Sequence, residues 1–152
     1  MCTSFMGELM TATHNFGVAP TRGTSAADTF KAALYLASAT INASTTVYTP
    51  TGEVSGSGYA AGGVAVTNAT PPTATNSSAT AGVAFFTPSA SLTYTTVTLA
   101  TAFDTVLIYN SSQSNKAVSV HTFGSQTITA GTFTLTMPSN TTTTALLRLS
   151  TT

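Results

Sequence analysis

Thr132-Phe133-Thr134-Leu135-Thr136-Met137 is the stretch whose reading decides the fold. Threonine alternates with a large apolar residue at every step, and Pro138 stops the run. A period of two puts Phe133, Leu135 and Met137 on one face of an extended chain and three hydroxyls on the other, the pattern of a half-buried strand. Working outward, Lys116–Phe123 alternates in the same way, with Val118 and Val120 on one face. Val106-Leu107-Ile108-Tyr109 is apolar on both faces and reads as a central strand. Ser91–Leu99 is rich in β-branched residues, and Ala81–Thr87 is apolar with Phe85 and Phe86 adjacent. Asp28–Leu36 sets Phe30, Ala32, Leu34 and Leu36 against Thr29, Lys31, Ala33 and Tyr35. Val64–Thr67 is a further strand, Thr46–Thr49 a short edge strand ending at Pro50, and Ala145, Leu147 and Leu149 the inner face of a last one.

Turn signals separate these runs. Asn110–Asn115 is a polar turn, Thr127–Gly131 a turn region, and Pro71–Ala79 a polar loop with a stiff Pro-Pro start. Gly52–Gly63 holds five glycines around Glu53, Val54 and Tyr59 and predicts a turn-rich connection with bulges. Eight or nine short strands with turns between them predict an all-β fold: an antiparallel β-sandwich, jelly-roll-like, over residues 28–152. Its expected core is Phe30, Leu34, Val64, Phe85, Val106, Ile108, Val118, Val120, Phe133, Leu135 and Leu147.

Residues 1–27 have a different character and predict a short N-terminal helix followed by an extended arm. Phe5 and Leu9 are four apart, as are Met6 and Met10, which places them on neighbouring parts of one helical face. Ser4 or Thr3 is the expected N-cap, and Gly7 weakens the helix from within. A helix this short is marginal alone in water, so its apolar stripe must pack on something. Gly17, Pro20 and Gly23 give the following segment the composition of a reaching arm. Phe5, Met6, Leu9, Met10 and Phe16 are therefore the candidate interface residues, in a segment expected to clasp a neighbouring subunit.

Composition narrows the function. The chain of 152 residues carries four basic and four acidic residues, a formal net charge of zero, and 35 threonines. Charged residues make up 5% of it, against about 25% in an ordinary soluble domain. Such a surface hydrogen-bonds well and repels almost nothing, which suits a protein packed against its own copies or a larger assembly. Bases scattered singly make no electrostatic footprint for nucleic acid and no polybasic patch for a membrane. No apolar run is long enough to span a bilayer, and no signal-peptide pattern is evident. Cys2 is the one cysteine, so no internal disulfide forms.

Catalytic and metal chemistry find little to stand on. His121 pairs on paper with Asp104 and one of many serines, but serine is so abundant that the combination arises by composition, and no Gly-x-Ser-x-Gly elbow is present. The carboxylates are far apart, and His14 and His121 have no ligand spacing, so no catalytic residue, cofactor or metal site is expected. Threonine rows at 127/129 and 132/134/136 lack the constant repeat that an ice-binding solenoid needs. Asn42, Asn68, Asn76, Asn110 and Asn140 lie in sequons produced by the Ser/Thr content and read as unmodified. Tyr35, Tyr48, Tyr59, Tyr94 and Tyr109 read as core or interface residues, with a sugar-stacking platform as the alternative.

Four segments carry a resemblance: Ser4-Phe5 through His14-Asn15-Phe16, Asp28-Thr29-Phe30-Lys31-Ala32-Ala33-Leu34-Tyr35, Gly52-Glu53-Val54-Ser55-Gly56-Ser57-Gly58-Tyr59, and Leu107-Ile108-Tyr109-Asn110 through Asn115-Lys116-Ala117-Val118. Together with Phe133-Thr134-Leu135 and Leu147-Arg148-Leu149, this arrangement resembles small β-rich virion structural proteins of tailed bacteriophages. The resemblance implies a particle component without enzymatic activity. The leading expectation is a capsid cement or decoration protein, made in the host cytoplasm and held on the capsid surface. Its expected partners are the major capsid protein and copies of itself, as a homodimer or homotrimer. A head–tail or tail component, or a glycan-binding adhesion module, is the alternative.

Overall fold

A computed structural model describes residues 1–10, 13–16, 27–68, 72–75 and 82–150. The elements in order are α1 (Thr3–Met10), β1 (Phe30–Leu36), β2 (Val64–Val66), β3 (Thr73–Ala74), β4 (Val83–Phe86), β5 (Leu92–Asn110), β6 (Lys116–Leu135) and β7 (Leu147–Ser150). The chain is thus mostly antiparallel β with one short helix, as expected. The strands form two open sheets, of order β2-β1-β5-β6 and β3-β4-β7.

β5 and β6 form one long hairpin that carries the larger sheet. Its loop contains Ser114 and Asn115 in left-handed backbone conformation, at φ 52° and 57°. Small polar residues fit such a turn, and asparagine tolerates that conformation better than most. β1 pairs with the loop-proximal half of β5, from Phe30↔Asn110 to Leu36↔Phe103. β1 and this half of β5 each lie between two neighbouring strands, and their apolar residues close the core from both faces: Ala32, Ala33, Leu34 and Tyr35 against Val106, Leu107, Ile108 and Tyr109. This is why Val106–Tyr109 lacks alternation.

The structure differs from the sequence reading at three places. Ser91–Leu99 and Val106–Tyr109 belong to one strand, and so do Lys116–Phe123 and most of Thr132–Met137. The expected turn at Thr127–Gly131 is a bulge: Val97 pairs with Gly131 and Leu99 with Ile128, leaving an extra residue on β6, where Ala130 has φ 45°. Thr96 at φ 53° marks an opposite bulge on β5, between Tyr94↔Phe133 and Val97↔Gly131. Paired bulges let a long hairpin twist and bend without losing its overall register, and they use the same local residues as a turn. Thr46–Thr49 is reduced to a single bridge, Val47↔Lys116.

In the expected core, Phe30, Leu34, Val106, Ile108, Val118 and Phe133 are buried, while Val64, Val120, Leu135 and Leu147 are partly buried against them. Phe86, and not Phe85, is the buried member of its pair. Leu149 is exposed, because β7 is an edge strand of the smaller sheet. Of the polar loop Pro71–Ala79, the described residues include the short strand β3; the others lie outside them, as do Gly17, Pro20 and Gly23 of the arm.

The glycine-rich connection lies beside β5. Ser57 bridges Thr98, and a Cβ added at Gly56 or Gly58 would sit 2.0 or 2.2 Å from the carbonyl oxygens of Thr98 and Thr96. Gly63, at φ 73°, would place a Cβ 1.7 Å from the Ala32 oxygen. Gly63→Ala is expected to lower stability by well over about 1 kcal/mol, since both the backbone angle and the space exclude a side chain. Gly124→Ala, at a site with open space, is its control, and chemical denaturation of the two variants distinguishes them. Phe103 is fully buried and packs edge-on against Phe133, with ring centroids 5.0 Å apart. Phe103→Ala is expected to cost about 3–5 kcal/mol in the same assay.

Candidate interaction surface

The five residues expected at an interface are divided by the structure. Phe5 is buried within the chain's own core, 4.8 Å from the His14 ring and edge-on to Phe16 at 5.9 Å. Phe16 stacks on Phe30 at 4.6 Å and meets Phe86 at 5.1 Å, so it joins β1 of the larger sheet to β4 of the smaller. Leu9 is partly buried against the same core. Met6 is 50% exposed, and the Met10 side chain lies outside the described residues. The stripe therefore packs on its own sheet, leaving Met6 as its outward member. Ser4 is not a cap: its Oγ is buried with no hydrogen-bond partner among the described residues.

A polar network fastens this segment to the hairpin loop. The Asn110 carboxamide accepts from the Ser112 and Gln113 amides through Oδ1, so its Nδ2 must be the group facing Asp28 Oδ2 at 2.7 Å and His14 Nδ1 at 3.0 Å. His14 Nδ1 then accepts, and Nε2 donates to Glu8 Oε2 at 2.7 Å. Lys116 Nζ reaches the other Glu8 oxygen at 2.8 Å. Gln113 Nε2 and the Asn15 amide also donate to Asp28. Burial by itself would raise both carboxyls, but hydrogen bonds from Lys116 and His14 hold Glu8 below its ordinary value, and those from Gln113, Asn110 and Asn15 do the same for Asp28. Both ring nitrogens of His14 are engaged, so neither faces a nucleophile.

The tyrosines form a second network, which sequence reasoning did not find. Tyr48 and Tyr59 donate to the two Glu53 oxygens at 2.6 and 2.7 Å, and the Gly62 amide joins Tyr59 on Oε1 at 2.7 Å. Tyr109 donates to the Gly62 carbonyl, Tyr35 to that of Thr49 and Tyr94 to that of Ala32. Burial pushes the Tyr35 phenol up to about 12, and burial followed by the bond to Glu53 raises Tyr59 further. All five hydroxyls thus bind within the chain and staple the connection between β1 and β2 to the larger sheet. The available signal was the spacing of Tyr48, Glu53 and Tyr59 within a glycine-rich run, which brings three polar groups to one buried carboxylate.

His121 and Asp104 are not brought together by any hydrogen bond: His121 Nε2 contacts Ser119 Oγ at 3.0 Å, and Asp104 accepts from its neighbour Thr105. Burial lowers the His121 pKa. His121 borders a shallow groove of about 130 Å³ whose other walls include Phe123, Leu135, Met137 and Leu146. A second cleft, of about 80 Å³, lies between Phe5, Leu9 and Phe16 on one side and Phe85, Leu147 and Leu149 on the other. Among the described residues no group of three or more His, Cys, Asp or Glu is placed to hold a metal ion, and no helix is long and apolar enough to cross a membrane.

The outer edge of β6 is the longest unpaired feature of the larger sheet. Its start is covered: Cys2 donates to the Val118 carbonyl and Ala117 to that of Thr46. From Ser119 to Leu135, no backbone group outside β5 bonds to β6 among the described residues. Residues 124–127, 129 and 130 are all exposed.

The network around Glu8 and Asp28 makes the N-terminal segment acid-sensitive. Carboxyls whose folded pKa lies below the ordinary 4.5 and 3.8 contribute stability that is complete above those values and is lost as pH falls through the lower folded ones. Glu8→Gln is expected to lower the melting temperature at neutral pH and to flatten its decline between about pH 5 and about pH 2, measured by circular dichroism.

No protein-family model matches the chain, and neither a curated protein nor a solved structure matches it.

Proposed function

We propose that the chain is a structural virion protein that decorates and cements a phage capsid, bridging neighbouring capsid subunits. The observation that carries this reading is a charge-poor, threonine-rich all-β chain with a long unpaired sheet edge. A free monomer ordinarily guards such an edge with charge or proline, and β6 has neither between Ala117 and Leu135. An edge of this kind fits a protein whose working state is an assembly. Cementing needs only modest bonds repeated across a lattice, because simultaneous contacts multiply. The resemblance of the four sequence segments to tailed-phage particle proteins supplies the virion. The finer architecture, a jelly-roll-like sandwich of the two sheets, belongs to the same proposal and is supported by Phe16 packing on both Phe30 and Phe86.

The glycan-binding alternative loses its best residues, since the five tyrosines bind inward. A head–tail or tail position is separated by stoichiometry. Quantitative mass spectrometry of purified particles is expected to count hundreds of copies, and particles lacking the protein are expected to release their contents at lower temperature. A few to a few tens of copies would move the protein to the tail or connector. Absence from particles would overturn the virion reading.

A further inference from the structure

We propose that β6 pairs edge to edge with β6 of a second copy, antiparallel about a two-fold axis at Thr127, joining two four-stranded sheets into one. The inference rests on the reading of the chain as an assembly protein and names the surface and the partner.

The open edge runs from Ser119 to Leu135, and Thr127 is its midpoint. An antiparallel edge is complementary to itself, because a two-fold rotation sets each outward N–H against a carbonyl of the other copy. Side chains then face each other in pairs related by that axis, and the sequence suits them. Ala130, which bulges at positive φ, faces Gly124, where a Cβ would meet only the Gln126 amide nitrogen at 4.0 Å. Phe123 faces Gly131. Thr122 faces Thr132, and Ser125 faces Thr129, pairing hydroxyl with hydroxyl across the strands. No Asp, Glu, Lys or Arg lies between Lys116 and Arg148, so the axis brings no like charges together along its length. A heterologous partner would require no such symmetry of small against large about one residue, which is why a second copy is the occupant.

The test uses the purified full chain without particles, so that its failure is separable from failure of the capsid reading, which the particle stoichiometry decides. Sedimentation is expected to give twice the 15.4 kDa chain mass. Thr127 is exposed, so T127K and T127E each retain the fold by circular dichroism, and each is expected to sediment as a monomer because like charges meet at the axis. An equimolar mixture of the two is expected to recover the dimer. A wild-type chain that stays monomeric at millimolar concentration would overturn the proposal. So would a T127K dimer, which would place the contact elsewhere, or folded monomeric variants that do not recover when mixed. Should either variant unfold, hydrogen exchange of the wild type decides: amides within 119–135 are expected to slow as concentration rises, and exchange there that ignores concentration would refute the pairing.

Discussion

The pairing of β5 with β6 is the constraint on which the remaining structure depends. These two strands provide the only long ladder, and every other part of the larger sheet is attached to one of them. β1 adds to the loop-proximal half of β5, the glycine-rich connection lies along the distal half, and Cys2 and Thr46 bond to the start of β6. The bulges at Thr96 and Ala130 are part of this role. A regular hairpin of nearly twenty residues per strand would be a flat ribbon with two exposed faces, whereas bulges twist it so that Leu99, Phe103 and Phe133 turn into one core.

The few charges are concentrated where ordinary packing is weakest. Glu8, Asp28 and Lys116 meet at the hairpin loop, and Glu53 is enclosed by two phenols and a backbone amide. Both positions fasten segments that have little regular structure of their own. A buried carboxylate with several donors gives one geometry and penalises all others, which is how a short helix and a glycine-rich loop acquire fixed positions on a sheet. The surface is left with almost no charge, and threonine supplies its solvation.

Legibility followed the local physics. Val106–Tyr109 and Lys116–Phe123 were readable as strands, because burial on two faces or one leaves a direct mark on residue type. The join between strands was not readable. Gly131 and the polar residues before it signal a reversal of the chain, and a bulge uses the same left-handed backbone without reversing it. Phe85 and Phe86 were indistinguishable, since adjacent aromatics carry no information about which one a two-stranded neighbour will cover. The N-terminal stripe was recognised as needing a partner, but sequence could not tell a neighbouring subunit from the chain's own sheet; Phe5 and Phe16 pack on the latter. The tyrosine network depends on contacts such as Tyr94 with Ala32 and Tyr109 with Gly62, and no periodicity encodes pairs that distant.

The burial of Cys2 has a bearing on the order of folding. Its amide bonds to Val118, more than a hundred residues away along the chain, while the β5–β6 hairpin closes through a short loop. Contacts of low sequence separation form first, because they confine the least chain. The N-terminal segment is thus the last piece to dock on a sheet already made. The Cys2 thiol is fully enclosed once it does, and burial raises its pKa, so the docked form resists alkylation twice over. A thiol-reactive dye added during refolding therefore times that final step, through a clock the chain carries at its second residue.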